Sequence, residues 1–223
     1  VKECYSSYAP ADVQSFLENS AVELGAAGKD NVFGSGRLEL PTDKVEVVLV
    51  DGYTIIALAV QPPVAYTAST LAAHINSQDG SITEVFRWNP QAGDWDFWLV
   101  EEEYGDDFDI ILGEGYLLKN EGDASTWTYW GAELPDGPGQ VPLVAGYNLI
   151  ALPVIPDASY TASTMAAEIN NQGGSVTQVF WWNPLAGAWD FWLVEEEYGD
   201  DFDIEIGEGY LLNCTAASTW TIQ

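Results

Sequence analysis

The chain is poor in positive charge: 6 Lys and Arg stand against 35 Asp and Glu in 223 residues, a formal net charge of −29. Nucleic-acid binding through phosphate neutralisation needs clustered Lys and Arg to release counterions, and the sequence has no such cluster. Attraction to an anionic membrane surface is disfavoured for the same reason. No apolar run approaches the roughly 20 residues of a spanning helix, so no membrane insertion is expected. Histidine and sulfur are equally scarce, with one His, two Cys and one Met. Haem ligation, Cys/His zinc sites and most His-based catalysis need more ligands or bases than His74 alone supplies. Cys4 and Cys214 lie near opposite ends without CxxC spacing, which leaves one candidate disulfide, within a chain or between two chains, in an oxidising compartment.

Apolar side chains, in contrast, are plentiful. Hydrophobic residues make up 47% of the chain, and 10 Trp are far too many for a solvated acidic tail, so the charge must coat folded units. Self-comparison explains much of the rest. Residues 52–118 align with 146–212 at a constant offset of 94 without a gap, and 49 of 67 positions are identical. Ser125-Thr-Trp-Thr128 then matches Ser218-Thr-Trp-Thr221 after the loss of one residue. The Gly/Pro-rich stretch at 131–140 reads as a linker between repeat 1 (43–130) and repeat 2 (141–223), with a distinct segment at 1–42.

Within each copy, Tyr53 to Val60 and Tyr147 to Val154 read as strands. The Tyr-Thr-Ala-Ser-Thr segment offers N-caps for short helices over Leu71 to Ile75 and Met165 to Ile169, ended by the glycines near 80 and 173. Ile82 to Trp88, an Asn-Pro-Gln-Ala-Gly turn and Trp95 to Val100 have the form of a hairpin, and two short strands follow. The expected fold is mainly β (α+β): two tandem small antiparallel barrels or sandwiches, each with one short helix, preceded by a helical N-terminal segment.

The block Trp95 to Ile110 recurs unchanged at Trp189 to Ile204. Its carboxylates Glu101, Glu103, Asp106, Asp107 and Asp109, with Glu195, Glu197, Asp200, Asp201 and Asp203, are candidate calcium ligands, because a hard cation gathers six to eight oxygens. The spacing does not match an EF-hand, and an acidic solvated loop is the competing reading. A glycosidase needs two carboxylates at a set separation across a cleft, which one bunched loop does not supply. Strand alternation puts Trp95, Phe97 and Leu99 on one face and Asp96, Trp98 and Val100 on the other, and sets Arg87 or Trp181 opposite Phe86 and Trp88. One face must be core, which makes Trp98, Trp192 and Trp181 candidates for an exposed interface or a sugar-stacking platform. Asn213-Cys214-Thr215 fits a glycosylation triplet, a pattern common by chance.

Tyr8 to Asp12 opens a helix whose apolar face carries Val13, Phe16, Leu17 and Ala21. Asn31-Val-Phe-Gly34-Ser-Gly36-Arg-Leu38 follows as a Gly-rich turn into a strand. This combination resembles the end of the catalytic domain of subtilisin-like serine proteases, in which P-x-x-V-x-x-x-L-E-x-[ST]-A leads to N-x-x-G-x-G-x-[LV]. The family's G-T-S-x-A-x-P nucleophile motif and its Asp and His segments are absent. Ser69 and Ser163 have no motif-placed base, and the copy of His74 is Glu168, so no catalytic triad and no enzymatic activity are expected. The resemblance implies a C-terminal remnant of a secreted precursor, at an extracellular or cell-surface location. Gly146-Tyr-Asn-Leu-Ile-Ala-Leu-Pro153 and Gly207-Glu-Gly-Tyr210 look like the modules appended to secreted bacterial and archaeal surface proteins, which implies attachment or architecture.

The expected role is therefore structural: self-assembly into an extracellular filament or cell-surface polymer, with Val13, Phe16 and Leu17 as a further interface candidate. The alternative is a module that binds cell-surface glycan through exposed Trp. No cofactor other than candidate calcium is expected. Residues 141–223 carry 11 Asp and Glu and no Lys or Arg, so a head-to-tail contact with the mixed-charge N-terminal part would be tuned by salt.

Overall fold

The computed structural model describes residues 11, 13–15, 21–22, 37–38, 43–134 and 139–222. Of the N-terminal segment, residues 11 and 13–15 are helical, Val13 is half-buried, and Ala21–Val22 pairs antiparallel with Arg37–Leu38. Phe16, Leu17 and Cys4 lie outside the described residues.

Repeat 1 runs β1 (Asp43–Leu49), β2 (Gly52–Ile56), β3 (Tyr66–Thr67), α1 (Ala68–Asn76), β4 (Ile82–Asn89), β5 (Asp94–Leu99), β6 (Tyr104–Gly105), β7 (Asp109–Ile110), β8 (Tyr116–Asn120) and β9 (Ser125–Gly131). Repeat 2 follows in the same order with β10 (Gly139–Leu143), β11 (Gly146–Ile150), β12 (Tyr160–Thr161), α2 (Ala162–Asn171), β13 (Val176–Asn183), β14 (Ala188–Leu193), β15 (Tyr198–Gly199), β16 (Asp203–Ile204), β17 (Tyr210–Cys214) and β18 (Ser218–Ile222). Each copy has one five-stranded antiparallel sheet, in the order β2-β8-β4-β5-β6 or β11-β17-β13-β14-β15. A separate two-stranded ribbon pairs β1 with β9, or β10 with β18.

The chain is mostly β with antiparallel sheets, as expected, but among the described residues no sheet closes into a barrel. The reason is local. Gly52 and Gly146 take φ of +95 and +97, a left-handed bend open to glycine, and it turns the chain out of the ribbon and into the edge of the larger sheet. The ribbon strands pair with each other and never join the five-stranded ladder. The linker is also shorter than its composition suggests, because Gly131 ends β9, Ala132 bridges Gln61, and Gly139 already opens β10.

Both helices start as the sequence predicts. Thr67 and Thr161 form reciprocal capping boxes with Thr70 and Thr164, satisfying orphan N–H groups of the first turn. Leu71, Ala72 and Ile75 then face the core beside Val85 and Leu118 of the sheet and Leu49, Trp127 and Tyr129 of the ribbon. Met165, Ala166, Ile169, Val179, Leu212 and Trp220 repeat this arrangement. Each core draws its buried residues from one copy. Trp127 and Trp220 are wholly buried, and burial of a side chain that large stabilises by roughly 3 kcal/mol or more.

The copies meet through contacts that occur twice. Trp88 Nε1 donates to the Tyr147 carbonyl at 2.7 Å, and Trp182 Nε1 donates to the Tyr53 carbonyl at 2.8 Å. Ala57 N donates to Gly207 O at 2.8 Å, and Ala151 N to Gly113 O at 2.9 Å. Each partner in one bond is 94 residues from its counterpart in the other, so a pseudo-twofold axis relates the repeats. Gly115 and Gly209 face each other near that axis: a Cβ on Gly115 would lie 3.3 Å from Gly209 Cα, and one on Gly209 would lie 2.5 Å from Ile55 Cγ2.

Candidate functional site

The aromatic side chains of the five-stranded sheets separate by face, and the core lies opposite to the side that alternation alone suggests. In β4, Val85 is buried, which turns Phe86 and Trp88 outward. Across the β4–β5 pairing, Val85 stands opposite Trp98, Phe86 opposite Phe97 and Trp88 opposite Trp95. Trp98 therefore packs half-buried against the repeat 1 core, and Trp181 and Trp192 do the same in repeat 2. The expected interface residues Trp98, Trp192 and Trp181 are thus core-side, because the ribbon and helix cover that face. The outer face bears Phe97 and Tyr104, 36% and 64% exposed, and in repeat 2 Trp189 and Tyr198, 39% and 64% exposed.

These outer rings pack against one another. Trp88 and Trp95 meet at 73°, Phe86 and Trp95 at 79°, Trp182 and Trp189 at 68°, and Phe97 and Tyr104 at 50°. The three tryptophan pairs are edge-to-face, a favourable aromatic geometry, and Phe97 and Tyr104 are tilted. It does not present a row of coplanar ring faces on which successive sugars could stack.

The acidic loops border these strips. All ten candidate calcium ligands, Glu101, Glu103, Asp106, Asp107, Asp109, Glu195, Glu197, Asp200, Asp201 and Asp203, are exposed. Asp107 caps a helix: Ser69 donates to its carboxylate from both N and Oγ, each at 2.8 Å. Asp201 repeats both bonds with Ser163. Each carboxylate thus sits at a helix N-terminus, where negative charge is favoured. Slight burial opposes ionisation of Asp201, yet the Ser163 donors hold its carboxyl below the usual range. Among the described residues no three His, Cys, Asp or Glu side chains converge on a metal-sized position. Replacing Asp107 with Ala is expected to cost about 1–2 kcal/mol in urea unfolding, the size of a lost helix cap. A change below a few tenths would remove the capping account.

The two serines and the histidine do not assemble a nucleophile. Ser69 and Ser163 are committed to these caps. His74 is buried, with Nδ1 2.7 Å from Tyr66 Oη and Nε2 2.9 Å from Gln78 Nε2. Among the described residues Cys214 is a free thiol, buried in the repeat 2 core, and burial pushes it up to about 11. Asn213, of the glycosylation triplet, is half-buried in β17 and donates to Gln178 Oε1 at 3.0 Å.

Sequence reasoning missed two grooves where the repeats meet. One, of about 460 Å³, is lined by Glu46, Val48, Thr54, Trp182, Leu185 and Glu208 among others. The other, of about 390 Å³, lies at equivalent positions and includes Gln140, Pro142, Asn148, Trp88, Gln91 and Glu114. Burial raises Glu208, which accepts from Tyr210 Oη at 3.0 Å. The first groove is the more apolar at its rim, with Leu185 87% and Val48 61% exposed. The repeat itself was the available signal, since any contact across a twofold must recur at the 94-residue offset.

No protein family, curated protein or solved structure shows a match to this chain.

Proposed function

We propose that the chain is a non-catalytic structural module that self-assembles into an extracellular or cell-surface polymer, derived from a subtilisin-like precursor as its N-terminal resemblance implies. The observation that carries this reading is the doubled outer face. The pseudo-twofold axis presents one aromatic strip with Phe97 and Tyr104, and a second with Trp189 and Tyr198, so each chain is bivalent. If each strip meets the strip of another chain, these contacts alternate with the internal repeat–repeat contact and generate an open linear array. The inclined rings favour a protein partner that interdigitates with them over a glycan that stacks.

Charge sets the condition for assembly. Each strip is bordered by a triple glutamate, Glu101–Glu103 or Glu195–Glu197, so strip-to-strip contact brings like charges together. Screening shortens the reach of that repulsion to about 10 Å at 0.1 M salt and about 3 Å at 1 M. Assembly should therefore rise with ionic strength and with added divalent cations. Light scattering and negative-stain microscopy from about 10 mM to 1 M NaCl should show filaments emerging, and Tyr104→Lys with Tyr198→Lys should abolish them. Dispersed particles throughout would sink the proposal. If those particles also bind polysaccharide on a glycan array, the glycan-binding reading takes its place.

A further inference from the structure

The surface through which the repeats touch has a property that the polymer reading does not require. Its contacts pair different residue positions across the axis, and each pair is present in both directions. Tyr53, Ile55 and Ala59 of repeat 1 receive Trp182, Gly209 and Gly207, while Tyr147, Leu149 and Pro153 of repeat 2 receive Trp88, Gly115 and Gly113. We infer that this face is self-complementary and that its partner is any second copy of the repeat, so that a single repeat forms a twofold homodimer through the same residues. The full chain is then a fused dimer.

The inference follows from substituting one copy for the other. In a repeat 1 homodimer, Trp88 would donate to the Tyr53 carbonyl, Gly113 would lie against Ala59 and Gly115 against Ile55. Each of these residue-type pairs already occurs in the chain, as Trp182 with Tyr53, Gly207 with Ala59 and Gly209 with Ile55. The backbone pair is preserved as well, since Ala57 N would meet Gly113 O as it now meets Gly207 O. None of these contacts near the axis is of a type that the chain does not already make. The axis is also intolerant of side chains: the three atoms nearest a Cβ on Gly115 belong to Leu149 and Gly209, all in the other copy. A Cβ there meets the other copy before anything in its own repeat.

Because each core is built from its own copy, residues 43–134 are a reasonable unit to isolate. Sedimentation equilibrium of that fragment carrying Tyr104→Lys, which removes the strip-to-strip contact, should give the mass of a dimer. Gly115→Val should convert it to a monomer with an unchanged circular dichroism spectrum. A folded monomer at the highest attainable concentration, or a dimer indifferent to Gly115→Val, would overturn the inference. Should the fragment fail to fold, a full-length chain in which a second copy of repeat 1 replaces residues 139–222 decides the matter. Its two halves should stay docked and give nearly one set of amide resonances, whereas halves that tumble independently overturn the proposal. Both outcomes are read without reference to filaments, so this inference and the polymer reading can fail separately.

Discussion

Replacing Asn120 with Cys should destabilise the chain by about 2–4 kcal/mol, the range for stranding several buried polar partners at once. Adding Thr54→Asn to that variant should restore much of the loss. Asn120 is buried at the end of β8, where Nδ2 donates to the carbonyls of Val50, Gly122 and Asp123 and Oδ1 accepts from Ser81 N at 2.9 Å. Repeat 2 has Cys214 at this position and cannot make these bonds. It holds the equivalent turn from the neighbouring strand instead: Asn148 Nδ2 donates to Val144 O at 2.9 Å and to Gly146 O at 3.0 Å, and its Oδ1 accepts from Val144 N. Repeat 1 has Thr54 there, with a buried Oγ1 that finds no partner. Each copy thus ties its turn with one asparagine, placed on β8 in one and on β11 in the other. Urea unfolding of the four combinations at positions 54 and 120 forms a double-mutant cycle. If the double variant is no more stable than Asn120→Cys alone, the two asparagines are not interchangeable ties.

The second large effect concerns pH. His74 is the only histidine in the chain, and burial lowers its imidazole to about 4. The Gln78 amide is oriented by Thr128, which donates to Oε1 at 2.8 Å and accepts from Nε2 at 2.9 Å, so the amide nitrogen faces His74 Nε2 as a donor. Trp127 Nε1 donates to Nδ1 at 3.3 Å, so both ring nitrogens face donors and a second proton on the ring is opposed. With the folded value below the unfolded one of about 6.5, the unfolded chain takes up the proton first as pH falls. The stabilisation held by neutral His74 is complete above about 6.5 and is lost progressively toward about 4, amounting to roughly 3 kcal/mol. Relief of acidic self-repulsion acts in the opposite direction over the same interval. The measurement is therefore the stability difference between the chain and its His74→Gln variant at each pH. That difference should shrink by about 3 kcal/mol between pH 7 and 4, and a flat difference would refute the account. Repeat 2 provides no counterpart, since Glu168 occupies the equivalent position and Trp220 Nε1 is buried without a partner.

Local structure was legible in the sequence where local chemistry decides it. The Thr-Ala-Ser-Thr caps, the β4–β5 hairpin and the antiparallel strands lie where composition and periodicity put them. Alternation also sorted Phe86, Trp88, Trp95 and Phe97 from Trp98 correctly. It could not tell which group faces the core, because both are aromatic and the decision belongs to the ribbon and helix that cover Val85. The barrel expectation failed for a related reason: strand count does not reveal that Gly52 sends β1 into a ribbon of its own. In sequence Gly115 stands at the start of a short strand, yet it is needed for close approach to the other copy, a demand that only the paired repeats impose.

The hairpin turns have a consequence for folding. Residues 95–110 and 189–204 are identical, so beyond their first residues, Asp94 and Ala188, β5 and β14 present the same side chains to β4 or to β13. No side-chain contact within those arms can identify the correct partner. The connection can. Asn89 Oδ1 accepts from Ala92 N, and Gly93 N donates to Asn89 O at 2.9 Å, with Asn183 and Gly187 repeating the pattern. A loop this short closes within about microseconds, whereas pairing with the other copy must first close a loop many times longer, at an entropy cost of roughly 0.6 kcal/mol per doubling. The turn thus sorts two indistinguishable strands kinetically. Lengthening it with a flexible insert removes that advantage, and strand exchange between copies becomes the route by which this chain would misfold.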